Sequence, residues 1–409
     1  MVFLMKVMII DMASRLNMHG GQQRIATILY NDLKKYFDTY YLGYSTEYMK
    51  GEKETLILPK SKTLKSDVRK SIFSEMWIFR MAYYFFVIRN LLGTGTKKEE
   101  VFERVLKIKP DVIISNSIQD FALLMYFKRK GLKFKSIYVD HGTIAGDQIS
   151  GYFSNEGMPL TIGTGISAIS TNDAKRKFFN FFDINVALNE SQVDKMKKFT
   201  GKVKYIPNGM SFKIQHDNKI ETRLKERYGI SKNDFVVLYL GRLFERQKNI
   251  STLIKAFRKL RDDKFKLLIV GSGPSFSDYL TLARGDDRIK FLGGIEDEFV
   301  PHIYNISNLF VLPSVWEGFS LTLLEAAAHS LPIILSENAY VEDLKISDIP
   351  EVPTFDTFDP VSLRFAIQRL AENKKLREEA IKASKRIAYI FTQEKMIKRY
   401  KEIIEDLYK

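Results

Sequence analysis

The sequence has no cysteine, only five histidines and no Asp-x-Asp pair. The absence of cysteine excludes disulfide bonds and thiolate metal sites, and it is typical of proteins from a reducing compartment such as the cytoplasm. Few histidines and the lack of an Asp-x-Asp pair leave little from which to build a divalent-cation site. The two most apolar stretches, residues 1–10 and 64–92, fall short of the about 20 apolar residues that a membrane-spanning helix needs.

What the chain does have is length and apolar content for two folded domains. It has 409 residues, of which 45% are hydrophobic and 28% charged, and this fits two domains with a core each. Short apolar runs alternate with helix-like segments, which predicts parallel sheets with helices on both faces. The first ten residues run into Asp11 without a small-residue cleavage site, so they predict a first strand and not a signal peptide.

The net charge of +15 indicates an anionic partner. Residues 60–98 contain nine basic and two acidic residues, and the apolar stretch 64–92 lies within them. This stretch either packs as a helix in the core or lies in the interface of an anionic membrane with its basic flanks on the headgroups. We favour the membrane surface. Nucleic acid is a weaker expectation, because no surface pattern of interleaved aromatic and basic residues supports it.

Residues 314–326 are the most informative stretch of the chain. The sequence predicts an apolar strand over Leu309–Leu312, a stop at Pro313, and a helix from Ser320 to His329. The first amides of such a helix have no intrahelical acceptor, and together with the helix dipole they form a site for a phosphate. The amides concerned are those of Gly318, Phe319 and Ser320.

Two carboxylates flank this anion site. Glu317 lies on the loop and Glu325 on the helix, where Leu321 shares its face because the two are four residues apart. Each carboxylate can bind a pair of sugar hydroxyls. The alternative is a surface helix with two solvated glutamates, but the apolar residues around them predict burial, where a carboxylate needs a partner.

Cations and glycines follow two further predicted strands. Arg242 and Lys248 flank the loop after the strand Phe235–Leu240, where they would neutralise a diphosphate unless they are ordinary surface charges. The Gly271-Ser-Gly-Pro turn follows the next strand. Ile295 follows the strand after that, on a loop that either is plain or faces a ligand.

The first half has two candidate positions at strand ends. Gly20 and Gly21 precede a helix and allow close approach of backbone to a ligand, although such a pair is also found in ordinary turns. His141 follows the strand Phe134–Val139, and a single histidine there is more often a structural hydrogen-bonding group than a catalyst.

The string Glu317-Gly-Phe-Ser-Leu-Thr-Leu-Leu-Glu325 resembles the Glu-x7-Glu motif of retaining GT-B glycosyltransferases, family 4. The Arg242-x5-Lys248 spacing, the Gly-x-Gly-Pro turn and Pro207-Asn-Gly resemble further elements of that family. The resemblance implies an α/β GT-B fold with two Rossmann-like domains facing across a cleft. These are an acceptor-side domain (1–206), a donor-binding domain (207–390) and a terminal helix (391–409) that crosses back to the first domain.

The resemblance also implies a role for each candidate residue in binding a nucleotide diphospho-sugar, with UDP as the nucleotide. Arg242, Lys248 and the amides at 318–320 bind the phosphates, Glu325 the ribose, Glu317 the donor sugar, and Ile295 lies against the base. Gly20, Gly21 and His141 come from the first domain. The catalytic group is His141, Glu317, Arg242 and Lys248.

The implied reaction moves a hexose or N-acetylhexosamine, with retention, to a glycan, lipid-linked or protein acceptor. No cofactor or metal is expected, because the two cations and the helix amides stabilise the leaving diphosphate. The expected place is the cytoplasm, peripherally on the inner face of the membrane, in assembly of cell-surface polysaccharide. The alternatives are a non-catalytic glycosyltransferase-like subunit and a sugar-nucleotide epimerase of the same fold. A glycosidase, with acid and nucleophile across one bond, fits less well.

Overall fold

The structure is a computed structural model. It describes residues 5–11, 20–44, 55–58, 96–118, 120–142, 172–212, 214–339, 342–345 and 349–409. The chain divides into two compact units. The first unit is Met1–Pro207 together with Ile397–Lys409, and the second is Asn208–Met396.

The first unit is built on a parallel sheet whose described strands run in the order β3-β2-β1-β4-β5-β6-β7. Its inner strands are apolar and buried along their length, as expected when helices cover both faces of a parallel sheet. The strands are β1 Lys6–Asp11, β2 Asp38–Tyr44, β3 Thr55–Leu58, β4 Val112–Ser115, β5 Lys135–Asp140, β6 Ile184–Ala187 and β7 Val203–Tyr205.

The helices between these strands supply most of the apolar layer on the sheet. Phe178, Phe179 and Phe182 lie in a core cluster with Tyr138 of β5, and the rings of Phe178 and Tyr138 meet edge to face with centroids 5.0 Å apart. The helices are α1 Gly21–Leu33, α2 Thr96–Ile108, α3 Asp120–Arg129, α4 Asn172–Phe181 and α5 Glu190–Lys197.

The second unit has its own parallel sheet, in the order β10-β9-β8-β11-β12-β13 among the described strands. The apolar runs predicted as strands at Phe235–Leu240 and Leu309–Leu312 have those bounds in the structure. The strands are β8 Phe235–Leu240, β9 Phe265–Val270, β10 Ile289–Gly293, β11 Leu309–Leu312, β12 Ile333–Ser336 and β13 Thr354–Phe355.

Helices flank this second sheet and continue to the end of the chain. Ile397–Lys409 is grouped with the first unit, where the Tyr408 hydroxyl donates to the Asp111 carbonyl at 2.7 Å. The α-helices are α6 Asn218–Tyr228, α7 Glu245–Lys248, α8 Ile250–Arg258, α9 Phe276–Ala283, α10 Val300–Asn305, α11 Leu321–Ala328, α12 Pro360–Glu372, α13 Lys374–Ile390 and α14 Gln393–Asp406.

Two segments differ from the sequence interpretation. Residues 211–233 suggest a polar bridge, but they contain α6, which Asp217 caps at its start and Gly229 ends at φ 65°. The stretch Phe358–Ser384 suggests continuous helix, but Asn373 leaves the helical region (φ −106°, ψ 103°) and its side chain caps α13 at the Leu376 amide. In both cases a capping residue sets where the helix begins, and the periodicity of apolar residues does not reveal that position.

The basic and apolar segment 60–98, predicted to contact an anionic membrane, lies outside the described residues except at the start of α2. In the part of the chain that is described, no helix has the length and apolar content to cross a bilayer. The membrane contact therefore stays a prediction.

Candidate functional site

The loops at one edge of the second sheet carry most of the predicted site residues. All strands of a parallel sheet end at the same edge, and ligands bind beyond it. Here β8 is followed by Gly241 and Arg242, and β11 by Pro313 and Ser314. The cations and the glutamate-containing loop are therefore neighbours in space, although about 70 residues separate them in the chain.

The loop after β8 packs closely on the glycine turn after β9. A Cβ on Gly271, where φ is +135°, would lie 1.9 Å from the Gly241 carbonyl oxygen, and one on Gly273 would lie 2.3 Å from that of Leu243. Only glycine fits such an approach. The Gly-x-Gly-Pro turn is thus the support on which the Arg242 loop rests.

Asn249 holds the helix that carries Lys248. Asn249 has φ +48°, a left-handed conformation that asparagine tolerates, and it joins α7 to α8. Its Nδ2 donates to the carbonyls of Pro313 (3.3 Å) and Thr357 (2.6 Å), and its Oδ1 accepts from Thr252 Oγ1 at 2.8 Å. These bonds fix α7 against the end of β11.

Glu245, for which the sequence suggests no role, braces the same short helix. Its carboxylate accepts from the Ser251 amide at 3.1 Å, from the Ser251 hydroxyl, and from the Tyr279 hydroxyl at 2.8 Å. The Glu245 amide in turn donates to Ser275 Oγ at 3.0 Å. Burial, with the Glu245 carboxylate beside it, raises the pKa of Tyr279, so its hydroxyl stays a donor.

Lys248 and Glu317 form an ion pair. The Lys248 ammonium contacts Glu317 Oε1, which also accepts from Ser314 Oγ at 2.6 Å. Only 12% of the Lys248 side chain and 9% of that of Glu317 are exposed. Because the pair is nearly buried, each charge depends on the other for compensation.

Gln247 connects Arg242 to the same loop. Arg242 Nη2 donates to Gln247 Oε1 at 3.0 Å, and the Gln247 carbonyl accepts from the Val315 amide at 2.7 Å. Arg242, through Gln247, and Lys248, through Glu317, are thus both joined to the loop 314–317. A phosphate at this edge would find a planar guanidinium and an ammonium already oriented.

The start of α11 is built as the sequence predicts. Ser320 is the N-cap and its Oγ accepts from the Leu323 amide at 3.3 Å. The Phe319 carbonyl accepts from Asn208 Nδ2 at 2.9 Å, and Gly318, Phe319 and Leu321 are buried. The helix is eight residues long, and its binding of an anion stays a prediction.

Glu325 lies on α11 and is 3% exposed. Its Oε2 accepts from the Tyr304 hydroxyl at 2.8 Å, and the Tyr304 ring stacks on His329 with centroids 5.1 Å apart. Burial lowers the pKa of His329 to about 4, so this ring is neutral at neutral pH.

Ile295, two residues beyond β10, is half-buried.

In the first unit, the predicted residues lie after β1 and β5. Gly20 is the N-cap of α1, where its carbonyl accepts from the Gln23 amide at 3.1 Å, and Gly21 is exposed. His141 Nε2 lies 2.8 Å from Asn116 Oδ1, and burial lowers the pKa of His141 to about 4. Gly142 follows at φ 91°, in the left-handed region that favours glycine.

Sequence reasoning missed four of the groups that organise these contacts, namely Asn116, Gln247, Ser314 and Tyr304. Asn116 and Ser314 could have been found, because each is a polar residue at the end of an apolar strand. Gln247 and Tyr304 lie within helices and carry no such signal.

The described residues contain no group of three or more His, Cys, Asp or Glu side chains placed to hold a metal ion. Arg242 and Lys248 are the positive groups that the structure positions at this edge. The absence of a metal from the reaction stays a prediction.

The comparison with protein families matches residues 220–387 to the model described as Glycosyl transferases group 1. The match includes Arg242, Lys248, Ile295, Glu317 and Glu325, and it covers less than half of the chain.

Curated relatives match over part of their length. The chain is 26% identical over 265 residues to N-acetyl-alpha-D-glucosaminyl L-malate synthase of Bacillus anthracis, covering 60% of this chain and 66% of that protein. It is 29% identical over 238 residues to UDP-Gal:alpha-D-GlcNAc-diphosphoundecaprenol alpha-1,3-galactosyltransferase of Escherichia coli, covering 55% and 58%. It is 32% identical over 178 residues to alpha-D-kanosaminyltransferase of Streptomyces kanamyceticus, covering 41% and 44%. The matches thus span about half to two thirds of these relatives.

Solved structures match over nearly the whole chain. HepE of Anabaena, in complex with UDP and glucose, has a TM-score of 0.70 at 16% identity. The match covers 98% of this chain and 100% of the HepE chain. Sucrose-phosphate synthase of Thermosynechococcus elongatus has a TM-score of 0.73 at 17% identity, with 99% of both chains covered. At this identity the likeness shows the fold, and it confirms the predicted α/β GT-B class.

Proposed function

We propose that the protein is a glycosyltransferase that moves a sugar from a nucleotide diphospho-sugar to a hydroxyl group. The proposal rests on one observation: at the carboxyl edge of the second sheet, Arg242 bonds to Gln247 and Lys248 pairs with Glu317, on loops beside the start of α11. This set lies within the segment that matches glycosyl transferases group 1. Glycosyl transfer needs such a group, because negative charge grows on the diphosphate as the sugar leaves.

The contacts of these residues support a different role in donor binding for each of them. Arg242 can grip a phosphate with two parallel N–H groups, and Lys248 adds a compact charge. Glu317, already bound to Lys248 and Ser314, can accept from a sugar hydroxyl. Glu325 is assigned to the ribose, while its Oε2 accepts a hydrogen bond from the Tyr304 hydroxyl. We take UDP as the nucleotide, since UDP appears in the names of the Escherichia coli relative and of the HepE complex.

Retention, metal independence and the acceptor are finer parts of the same proposal. The relatives from Escherichia coli and Streptomyces kanamyceticus are named for alpha linkages, which retention gives from an alpha-linked donor. The Escherichia coli name includes a diphosphoundecaprenol acceptor, and this supports a lipid-linked acceptor reached by an enzyme peripheral to the cytoplasmic face of a membrane. The transferred sugar is a hexose or an N-acetylhexosamine.

The deciding experiment is a screen of nucleotide sugars for release of nucleoside diphosphate, with and without EDTA. We expect hydrolysis of one donor class, unchanged by EDTA, and its loss in Lys248→Ala. Lys255→Ala is the matched control, because Lys255 is an exposed lysine on the adjoining helix α8. An epimerase would change the sugar without releasing the nucleotide, and a non-catalytic subunit would bind UDP without turnover. Either result, or full activity of Lys248→Ala, contradicts the proposal.

A further inference from the structure

Asn116 is the residue through which the start of α1 and His141 are connected in the first unit. It directly follows β4 and is fully buried. Its amide N–H lies within hydrogen-bonding distance of the Ile10 carbonyl (3.1 Å) and of Asp120 Oδ2 (3.0 Å). The backbone of Asn116 is therefore held on two sides, and its side chain has one well-defined direction.

The orientation of the Asn116 amide follows from its partners. Its Nδ2 donates to the Gln22 carbonyl oxygen at 2.8 Å, and the Gln22 side chain donates back to the Asn116 carbonyl. A carbonyl oxygen can only accept, so the group facing Gln22 is the NH2 and the group facing His141 is the oxygen. That oxygen, Oδ1, lies 2.8 Å from His141 Nε2.

Because the Asn116 atom that faces His141 is an oxygen, it determines which nitrogen of the His141 ring carries the proton. Because Oδ1 is an acceptor, Nε2 must carry the hydrogen, and in a neutral ring Nδ1 then carries the lone pair. Burial disfavours the charged ring and lowers the pKa of His141 to about 4, so the ring is neutral at neutral pH. Nδ1 is thus an acceptor only.

We propose that Asn116 is a positioning residue that fixes His141 as its Nε2–H tautomer, so that Nδ1 accepts from a hydroxyl of the substrate and rejects phosphate or carboxylate oxygens. The assignment of that hydroxyl to a sugar rests on the proposed function, but the tautomer does not. His141 then positions a sugar, and it neither donates a proton to the leaving group nor binds the diphosphate.

In the part of the chain that the structure describes, the charged groups near this pair are three carboxylates, each of which has interactions of its own. Asp120, at the start of α3, accepts from the Asn116 and Ser117 amides and from Ser115 Oγ. Asp140 precedes His141 and accepts from the Gly142 amide at 3.2 Å. Asp11, at the end of β1, is buried. None of these displaces Asn116 as the group facing Nε2.

The test is side-chain NMR of protein labelled with 15N-histidine. Only five histidines occur in the chain, and a His141→Ala variant assigns the signals of His141. A long-range proton–nitrogen correlation shows directly which ring nitrogen is protonated. For wild type between pH 6 and 8 we expect a protonated Nε2, a bare Nδ1 and no titration.

Asn116→Asp tests the positioning role separately. It puts a carboxylate opposite Nε2–H and should raise the pKa of His141 from about 4 by more than one unit. The matched control is Asn31→Asp, the same change at an exposed residue of α1, which should leave His141 unchanged. Any of three results overturns the inference: a proton on Nδ1 in wild type, titration of wild-type His141 near pH 6.5, or an unchanged pKa of His141 in Asn116→Asp. Addition of UDP-sugars afterwards tests the proposed function independently, because the tautomer is read without any donor.

Discussion

Breaking the Lys248–Glu317 pair should destabilise the second unit even though no ligand is involved. The perturbation is Lys248→Met, which keeps most of the apolar stem and removes the charge, and Glu317→Gln, which keeps the shape and a group for Ser314. Each single change leaves one charge with 9% to 12% of its side chain exposed and no opposite charge beside it.

The magnitude follows from the burial. Removing one partner of a buried ion pair costs about 3–5 kcal/mol, because the remaining charge is uncompensated. About a tenth of each side chain reaches solvent, so we expect the lower end, ~3 kcal/mol, for Lys248→Met. In Lys248→Met/Glu317→Gln no charge is stranded. The double variant should therefore be less destabilised than the sum of the singles, with a coupling free energy of about 2 kcal/mol.

A tryptophan near the pair makes the measurement local. The chain has two tryptophans, and Trp316 adjoins Glu317. In a Trp77→Phe background, fluorescence during urea unfolding reports the second unit through Trp316, and the midpoint and slope give the free energy of unfolding. The control cycle is Lys264→Met with Asp262→Asn, an exposed pair with its closest atoms at 2.8 Å.

The control cycle should show coupling close to zero, because exposed pairs are screened by water. A coupling at Lys248–Glu317 that is equally small would refute the reasoning. It would mean that the pair contributes nothing in solution, and that Lys248 is not held in place for a phosphate.

Three further outcomes are expected. Gly271→Ala, whose new Cβ would meet the Gly241 oxygen at 1.9 Å, should lower the free energy of unfolding well beyond the ~1 kcal/mol expected for alanine at the open Gly229; equal losses in urea unfolding would contradict the packing. Tyr304→Phe removes a donor from the buried Glu325 and should cost about 1–3 kcal/mol by the same assay, with weaker nucleotide binding by calorimetry. His329 has a pKa of about 4 when folded and ~6.5 unfolded. Because the ring is partly exposed, solvent screening should reduce its contribution to about 1–2 kcal/mol. This stability should be present above pH 6.5 and be lost as pH falls towards 4, and His329→Gln should not show the loss.

Apolar patterning was enough to predict parallel sheets with helices on both faces, and the resemblance of the motifs supplied the GT-B class. Runs such as Phe235–Leu240 and Leu309–Leu312 are buried on both faces, so their composition alone separates them from the helices around them. Elements that end in caps were harder. The Asp217 side chain starts a helix by accepting from two backbone amides, and that of Asn373 starts one by accepting from a single amide. The surrounding polar composition resembles that of a linker.

The residue types of the candidate site were also visible in the sequence, but their pairing was not. Lys248 and Glu317 were each predicted to meet a ligand. That they meet each other depends on Asn249, which brings α7 to the end of β11 through the Pro313 carbonyl, and no spacing rule reports such a contact. Their roles towards a donor stay predictions.

The same ion pair has a consequence for how a donor would enter. An isolated buried lysine is costly, so a site that must bind a diphosphate cannot leave its ammonium without a partner beforehand. Glu317 supplies that partner, and Ser314 would keep its hydrogen bond to the carboxylate if the lysine turned to a phosphate. A diphosphate at Lys248 would weaken its hold on Glu317 and leave that carboxylate to accept from a sugar hydroxyl. Binding of UDP alone should therefore be weaker than binding of the whole nucleotide sugar, because only the sugar provides the new donor for Glu317.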